Sequence, residues 1–114
     1  MSIQVTTRQV EDVSVVDVAG RITLGEGASA LRETIRGLVA KGQKKILLNL
    51  GEVSYIDSSG IGELVSGFTT VTNSGGTLKL LNLTKRVQDL LQITKLYTVF
   101  EVFDREATAV ASFS

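Results

Sequence analysis

The chain has 114 residues, 43% of them hydrophobic and 21% charged, a balance that suits one folded domain, residues 1–114, with its own core. Twelve basic and twelve acidic side chains cancel, so no overall field draws the chain to nucleic acid or to an anionic membrane. It contains no cysteine and no histidine, which removes disulfides, thiolate or imidazole metal ligands, and every serine–histidine or cysteine–histidine catalytic arrangement.

Met1-Ser2-Ile3-Gln4-Val5 lacks the basic start of a signal peptide. No stretch reaches the roughly 18 apolar residues of a membrane span, so a soluble, cytoplasmic protein is expected. Residues 3–7 and 13–18 read as two strands joined by a polar turn at Glu11-Asp12, an antiparallel pair at one edge. Gly20 ends the second strand. Between residues 28 and 41, Leu31, Ile35, Leu38 and Val39 recur at helical spacing, and Gly42 stands where a left-handed cap closes a helix. Ile46-Leu47-Leu48-Asn49-Leu50 is the nearly unbroken apolar run of a central parallel strand covered on both faces. After Asp57, the residues Ile61, Leu64, Val65, Phe68 and Val71 resume helical spacing, and Gly75-Gly76 turns the chain into a strand over 77–83. Thr84 is placed to cap a third helix carrying Val87, Leu90 and Leu91. Residues 99–103 read as a fifth strand, and Asp104 as the cap of a short terminal helix with Ala107, Val110 and Ala111. The alternation from residue 46 onward implies right-handed crossovers and a mostly parallel sheet, hence a small α/β domain. Its expected core includes Leu31, Ile35, Leu48, Leu64, Phe68, Leu80 and Leu91.

Three features bear on chemistry. Lys41, Lys44 and Lys45 form a small basic group, which we read as solvated surface. Gly25-Glu26-Gly27-Ala28-Ser29-Ala30 fits G-x-G-x-x-A at a helix start, the pattern of a dinucleotide cradle. The next strand closes on Leu50-Gly51, with Glu52 only beyond it, so the expected ribose-binding acid is missing and no cofactor is expected. Asp57 follows a central strand, where a phosphoaspartate receiver keeps its acceptor. A receiver needs further acids to hold Mg²⁺, and the first two strands end in Thr6-Thr7 and Ala19-Gly20. The receiver is therefore the minor alternative, and neither a metal site nor enzymatic activity is expected.

Asp57 and Ser58 are both strong N-cap residues at the entrance of a helix, whose first N–H groups are unpaired and carry partial positive charge. Gly60 and Gly62 are the anomaly, since each costs a helix about 0.5–1 kcal/mol relative to alanine. They strip side chains from the turn, so that another backbone or a bulky partner can come close. On the residues alone two readings stay open, a capped turn with glycines for packing or an anion or phosphorylation site at the serines.

Several features together resemble the STAS domain family, in particular the stand-alone anti-sigma factor antagonists of bacteria. They are Gly20 after the second strand, the strand Ile46 to Leu50 running into Val53, and Ile56-Asp57-Ser58-Ser59-Gly60-Ile61-Gly62. The Gly75-Gly76 turn and Val87 to Leu91 followed by Phe100 to Phe103 complete them, so the resemblance spans essentially the whole chain. It implies a single α/β domain with a four- or five-stranded mixed β-sheet and about four helices packed mainly on one side. It also implies that Ser58 is phosphorylated by a partner that is both serine kinase and anti-sigma factor and carries the ATP. The unphosphorylated form would bind that partner and free a sigma factor, and a serine phosphatase would restore it. Gly20, Arg21, Thr23, Asp57, Ser58, Ser59, Gly60, Ile61 and Gly62 are then the expected partner-binding residues. The chain itself would use no cofactor, nucleic acid or membrane, and would act as a monomer or weak dimer. Many relatives carry an acid where Thr23 stands, so an arginine on the partner would lack its mate here. A scaffold role in a stress-signalling or lipid-transport assembly is the alternative within the family.

Overall fold

A two-residue turn at Glu11 and Asp12 folds β1 (Ile3–Val10) back on β2 (Val13–Ile22), with Val10 opposite Val13 and Glu11 in left-handed backbone. These assignments come from a computed structural model, which describes residues 3–114. α1 (Glu26–Ala40) then leads to β3 (Lys45–Ile56), and α2 (Ser58–Asn73) to β4 (Thr77–Leu81). α3 (Lys85–Ile93) passes through a single 3-10 turn (Leu96–Thr98) to β5 (Val102–Phe103), and α4 (Glu106–Ala111) follows. The five-stranded sheet has the order β1-β2-β3-β4-β5, with β1 antiparallel to β2 and every later pair parallel.

A parallel sheet that adds each new strand on the same side through right-handed crossovers must put every crossover helix on one face. Leu31 and Ile35 of α1, Leu64 of α2, and Val87 and Leu91 of α3 accordingly share one core with Val16, Val18, Leu48 and Leu80 of the sheet. α4 lies on the opposite face, its Ala109 and Val110 against Val13, Val15, Leu47 and Leu81. Ile46, Leu47 and Leu48 are all buried for this reason, because successive side chains of the strand meet different cores. The mixed sheet with helices mainly on one side is therefore as expected. No helix among the described residues is long and apolar enough to cross a membrane.

Two helix ends follow their glycines. Gly42 and Gly75 have φ of 85 and 88, and the N–H groups of Gly42 and Gly75 reach back to Val39 and Thr72. Thr84 caps α3, its hydroxyl accepting the Val87 N–H at 3.4 Å.

Five expectations need correction. Gly20 does not end β2, which runs on to Ile22 paired with the second half of β3. β3 does not stop at Leu50 but runs to Ile56, because the end of β2 continues beside it after register shifts near Asp17 and Gly20. Val53 and Ile56 are thus buried residues of that strand. β5 shrinks to Val102–Phe103, since the preceding chain is taken up by the 3-10 turn and by Phe100, which plugs the core. Phe68 is only half-buried, set edge-on to Phe100 at 5.5 Å between ring centroids at the rim of the core. Asp104 does not cap α4. Arg105 occupies the cap position without a side-chain bond, and Glu106 of the first turn is held by Arg8 at 2.6 Å.

Candidate functional site

The carboxyl ends of β2 and β3 meet at one edge of the sheet, where the chain departs into α1 and α2. Asp57 is the single residue between β3 and α2 and has extended backbone. One of its carboxylate oxygens, Oδ1, accepts the Gly60 N–H at 2.9 Å and so caps α2. The other, Oδ2, accepts the Leu24 N–H at 3.1 Å, in the turn between β2 and α1. A single carboxylate therefore ties two loops together. The Gly60 N–H above all, and the Leu24 N–H with it, hold this carboxyl below its ordinary value against the opposing effect of partial burial. The backbone joins the same junction, with the Asp57 N–H on the Ile22 carbonyl at 3.3 Å.

The glycines divide into two kinds. Gly60 is buried, and a Cβ added there would fall on the Ile22 carbonyl oxygen and within 2.5 Å of Ile56 Cγ1. A Cβ on Gly27, at the entrance of α1, would meet the Arg21 carbonyl oxygen at 2.5 Å. Both helix entrances thus press bare backbone onto the end of β2. Of the two expectations for Gly60, another backbone or a bulky partner coming close, the structure shows the first, and that backbone is the chain's own. Gly27, the second glycine of the G-x-G-x-x-A stretch, serves the same internal packing. Gly62 differs, being exposed with open space around its missing Cβ.

The remaining predicted residues fall on either side of the surface. Ser58 is exposed in the first turn of α2, and Ser59 is half-buried behind it. Arg21 is exposed, whereas Thr23 is half-buried and gives its carbonyl to the Ala28 N–H at 2.9 Å, fixing the start of α1. Ile61 is 7% exposed and belongs to the core. Gly20, with φ of 106, sits at a register shift of β2 and accepts the Ser54 hydroxyl on its carbonyl at 3.2 Å. Ile61 and Gly20 shape the edge from beneath and offer it no side chain.

Sequence reasoning missed three residues. Leu24 is 79% exposed, an apolar knob whose own N–H is anchored by Asp57. Tyr55 carries two guanidinium groups over its ring, Arg21 at 4.7 Å and Arg86 at 4.4 Å from the centroid. The β2–β3 register, which places Arg21 opposite Tyr55, is readable once the strands are paired. Arg86 comes from α3, and no local pattern links it to this edge.

Chemically, the edge presents a hydroxyl and does not activate it. Each Asp57 oxygen is engaged by a backbone N–H, so the structure shows that carboxylate holding the helix entrance and the turn after β2.

Residues 4–109 match the STAS domain family. The anti-sigma-B factor antagonist of Bacillus subtilis (strain 168) is 37% identical over 102 residues, covering 90% of this chain and 92% of that protein. The anti-sigma-B factor antagonist of Listeria monocytogenes is 29% identical over 102 residues, with 90% and 88% covered. An anti-sigma factor antagonist from Mycobacterium paratuberculosis has the same fold, with a TM-score of 0.84 at 21% identity over 98% of this chain and 94% of that one. The Bacillus cell-fate determinant SpoIIAA in its phosphorylated form superposes with a TM-score of 0.75 at 19% identity, over 99% of this chain and 100% of that one.

Proposed function

This chain belongs to the STAS domain family, and from that premise we propose that it is an anti-sigma factor antagonist whose partner binding is switched by phosphate on Ser58. The observation that carries this reading is the placement of Ser58. Its hydroxyl is exposed on the first turn of α2, immediately after a carboxylate pinned by Leu24 and Gly60. In the unphosphorylated state the edge around Leu24, Ser58 and Gly62 binds an anti-sigma factor and displaces its sigma factor. That partner is also the serine kinase. It supplies ATP and the catalytic base.

Phosphate adds about −1.5 to −2 charges at neutral pH. The N-terminus of α2 favours negative charge, so the fold tolerates the group. In a desolvated interface the same charge stands beside ionised Asp57 and weakens docking. The switch is therefore local electrostatics and leaves the core unchanged. A serine phosphatase resets it. Partner switching of this kind is cytoplasmic, where sigma factors act.

The test is to incubate the chain with the ATP-bound anti-sigma factor of its own cells and map phosphate by mass spectrometry. Phosphate should appear on Ser58 and vanish in Ser58→Ala. Phosphate on Ser59 with Ser58 unmodified, or on neither serine, would overturn the proposal.

A further inference from the structure

We infer that Arg21, Tyr55 and Arg86 form a specificity patch beside Ser58, one that selects a partner presenting carboxylates at this point of the interface. The inference rests on the reading of Ser58 as the switched contact.

Three elements build the patch. Arg21 from the end of β2 lies opposite Tyr55 of β3 in the parallel register, and Arg86 enters from the first turn of α3. Their guanidinium groups lie 4.7 and 4.4 Å from the centre of the same ring. Arg86 Nη2 also makes a long contact, 3.5 Å, to the carbonyl of Ile56, two residues before Ser58. The patch therefore shares the sheet edge that presents the serine.

Its charge is left over after the neighbours are counted. Arg32 pairs with Glu63 at 2.5 Å and Lys85 with Asp89 at 3.2 Å, so these cancel. The Asp57 oxygens are taken by the N–H groups of Leu24 and Gly60, and Thr23 adds no charge. Among the described residues neither Arg21 nor Arg86 is paired with a carboxylate. What remains at the Tyr55 end is two guanidinium groups with no ion pair of their own, while ionised Asp57 nearby is bonded to backbone N–H groups and to neither arginine.

Such an arrangement suits recognition. The ring holds both planar forks in place, so fewer rotamers are lost when they bind. Arginine and tyrosine are the residue types that most often dominate interface energies, and a carboxylate is the group a guanidinium fork matches best. The same chemistry sharpens the switch. Carboxylates on the partner would meet Arg21 and Arg86 while Ser58 is bare, and would repel the dianion once Ser58 is phosphorylated.

The experiment measures binding of the full chain to its ATP-bound anti-sigma kinase by calorimetry, at low and high salt. Arg21→Glu and Arg86→Glu are combined in one variant, and Arg21→Gln and Arg86→Gln in another, with melting curves to verify folding. The double charge reversal should lose at least about tenfold in affinity at low salt, and the neutral pair should lose affinity in the same direction. Wild-type affinity should fall with added salt more steeply than that of either variant. Binding by the charge-reversed chain equal to or tighter than wild type would overturn the inference. Ser58→Glu in the same assay separates the two levels. If Ser58→Glu binds weakly while the charge-reversed chain binds as wild type, the reading of Ser58 stands and the patch falls. If Ser58→Glu binds as wild type, both fall.

Discussion

Gly60 and Gly62 stand two residues apart in α2 for opposite reasons. A methyl group on Gly60 would strike the Ile22 carbonyl oxygen, and backbone in the middle of a sheet edge cannot give way. Gly60→Ala should therefore cost about 1–3 kcal/mol in urea denaturation. Gly62→Ala meets open space and should gain about 0.5–1 kcal/mol from helix propensity. Equal stability of the two variants would contradict this division. The sequence made the pair conspicuous, since helix stability alone would exclude both. It could not say which glycine faced inward, because the deciding contact joins Ile22 to Gly60 across distant parts of the chain. Asp57 makes a similar point. Its capping role was legible from its place before a helix, while its second bond, to Leu24, depends on how two loops meet. Asp57→Ala should cost about 1–2 kcal/mol and speed hydrogen exchange at the Leu24 amide. An unchanged exchange rate there would refute the tie between the loops.

Periodicity carried the elements as far as neighbours allow. Five strands and four α-helices occur in the expected order, though several end elsewhere, because most face one core with the repeat that reveals them. The second half of β3 was hidden, since the register shifts opposite Asp17 and Gly20 break the alternation. β5 was overdrawn because its apolar run serves two purposes, Phe100 filling the core and only Val102 and Phe103 pairing with Leu80 and Leu81. The consequence is measurable. Leu48 is fully buried at the centre of β3, so Leu48→Ala should cost about 2–5 kcal/mol by leaving a cavity. Phe68, half-buried at the rim, should cost less as alanine, about 1–3 kcal/mol, most of it the lost contact with Phe100. A larger loss for Phe68→Ala than for Leu48→Ala would mean the core has been misplaced.

At the scale of the whole molecule, charge bears on stability and on the proposed switch. Arg8 joins β1 to Asp17 of β2 and Glu106 of α4, and its hydrogen bonds hold both carboxyls below their ordinary values. Asp12 is lowered in the same way by Lys45, and Asp57 by the Gly60 N–H. A carboxyl depressed in the folded state adds stability above its unfolded pKa and loses it as pH falls through the folded one. With no histidine in the chain, thermal stability should be nearly flat from about pH 5 to 8 and decline below about pH 4. Arg8→Gln should flatten that acid decline, and a steep change near pH 6.5 in the wild type would contradict the assignment. The proposed switch is also a matter of charge, since a phosphate on exposed Ser58 would add negative charge at one edge, outside the apolar core shared by α1, α2 and α3. The most direct test compares wild type, Ser58→Ala and Ser58→Glu for affinity to the ATP-bound anti-sigma partner. Ser58→Ala should bind as wild type does, while Ser58→Glu should melt at the same temperature yet lose at least about tenfold in affinity, or 1.4 kcal/mol. Equal affinity of Ser58→Glu and wild type would contradict the account.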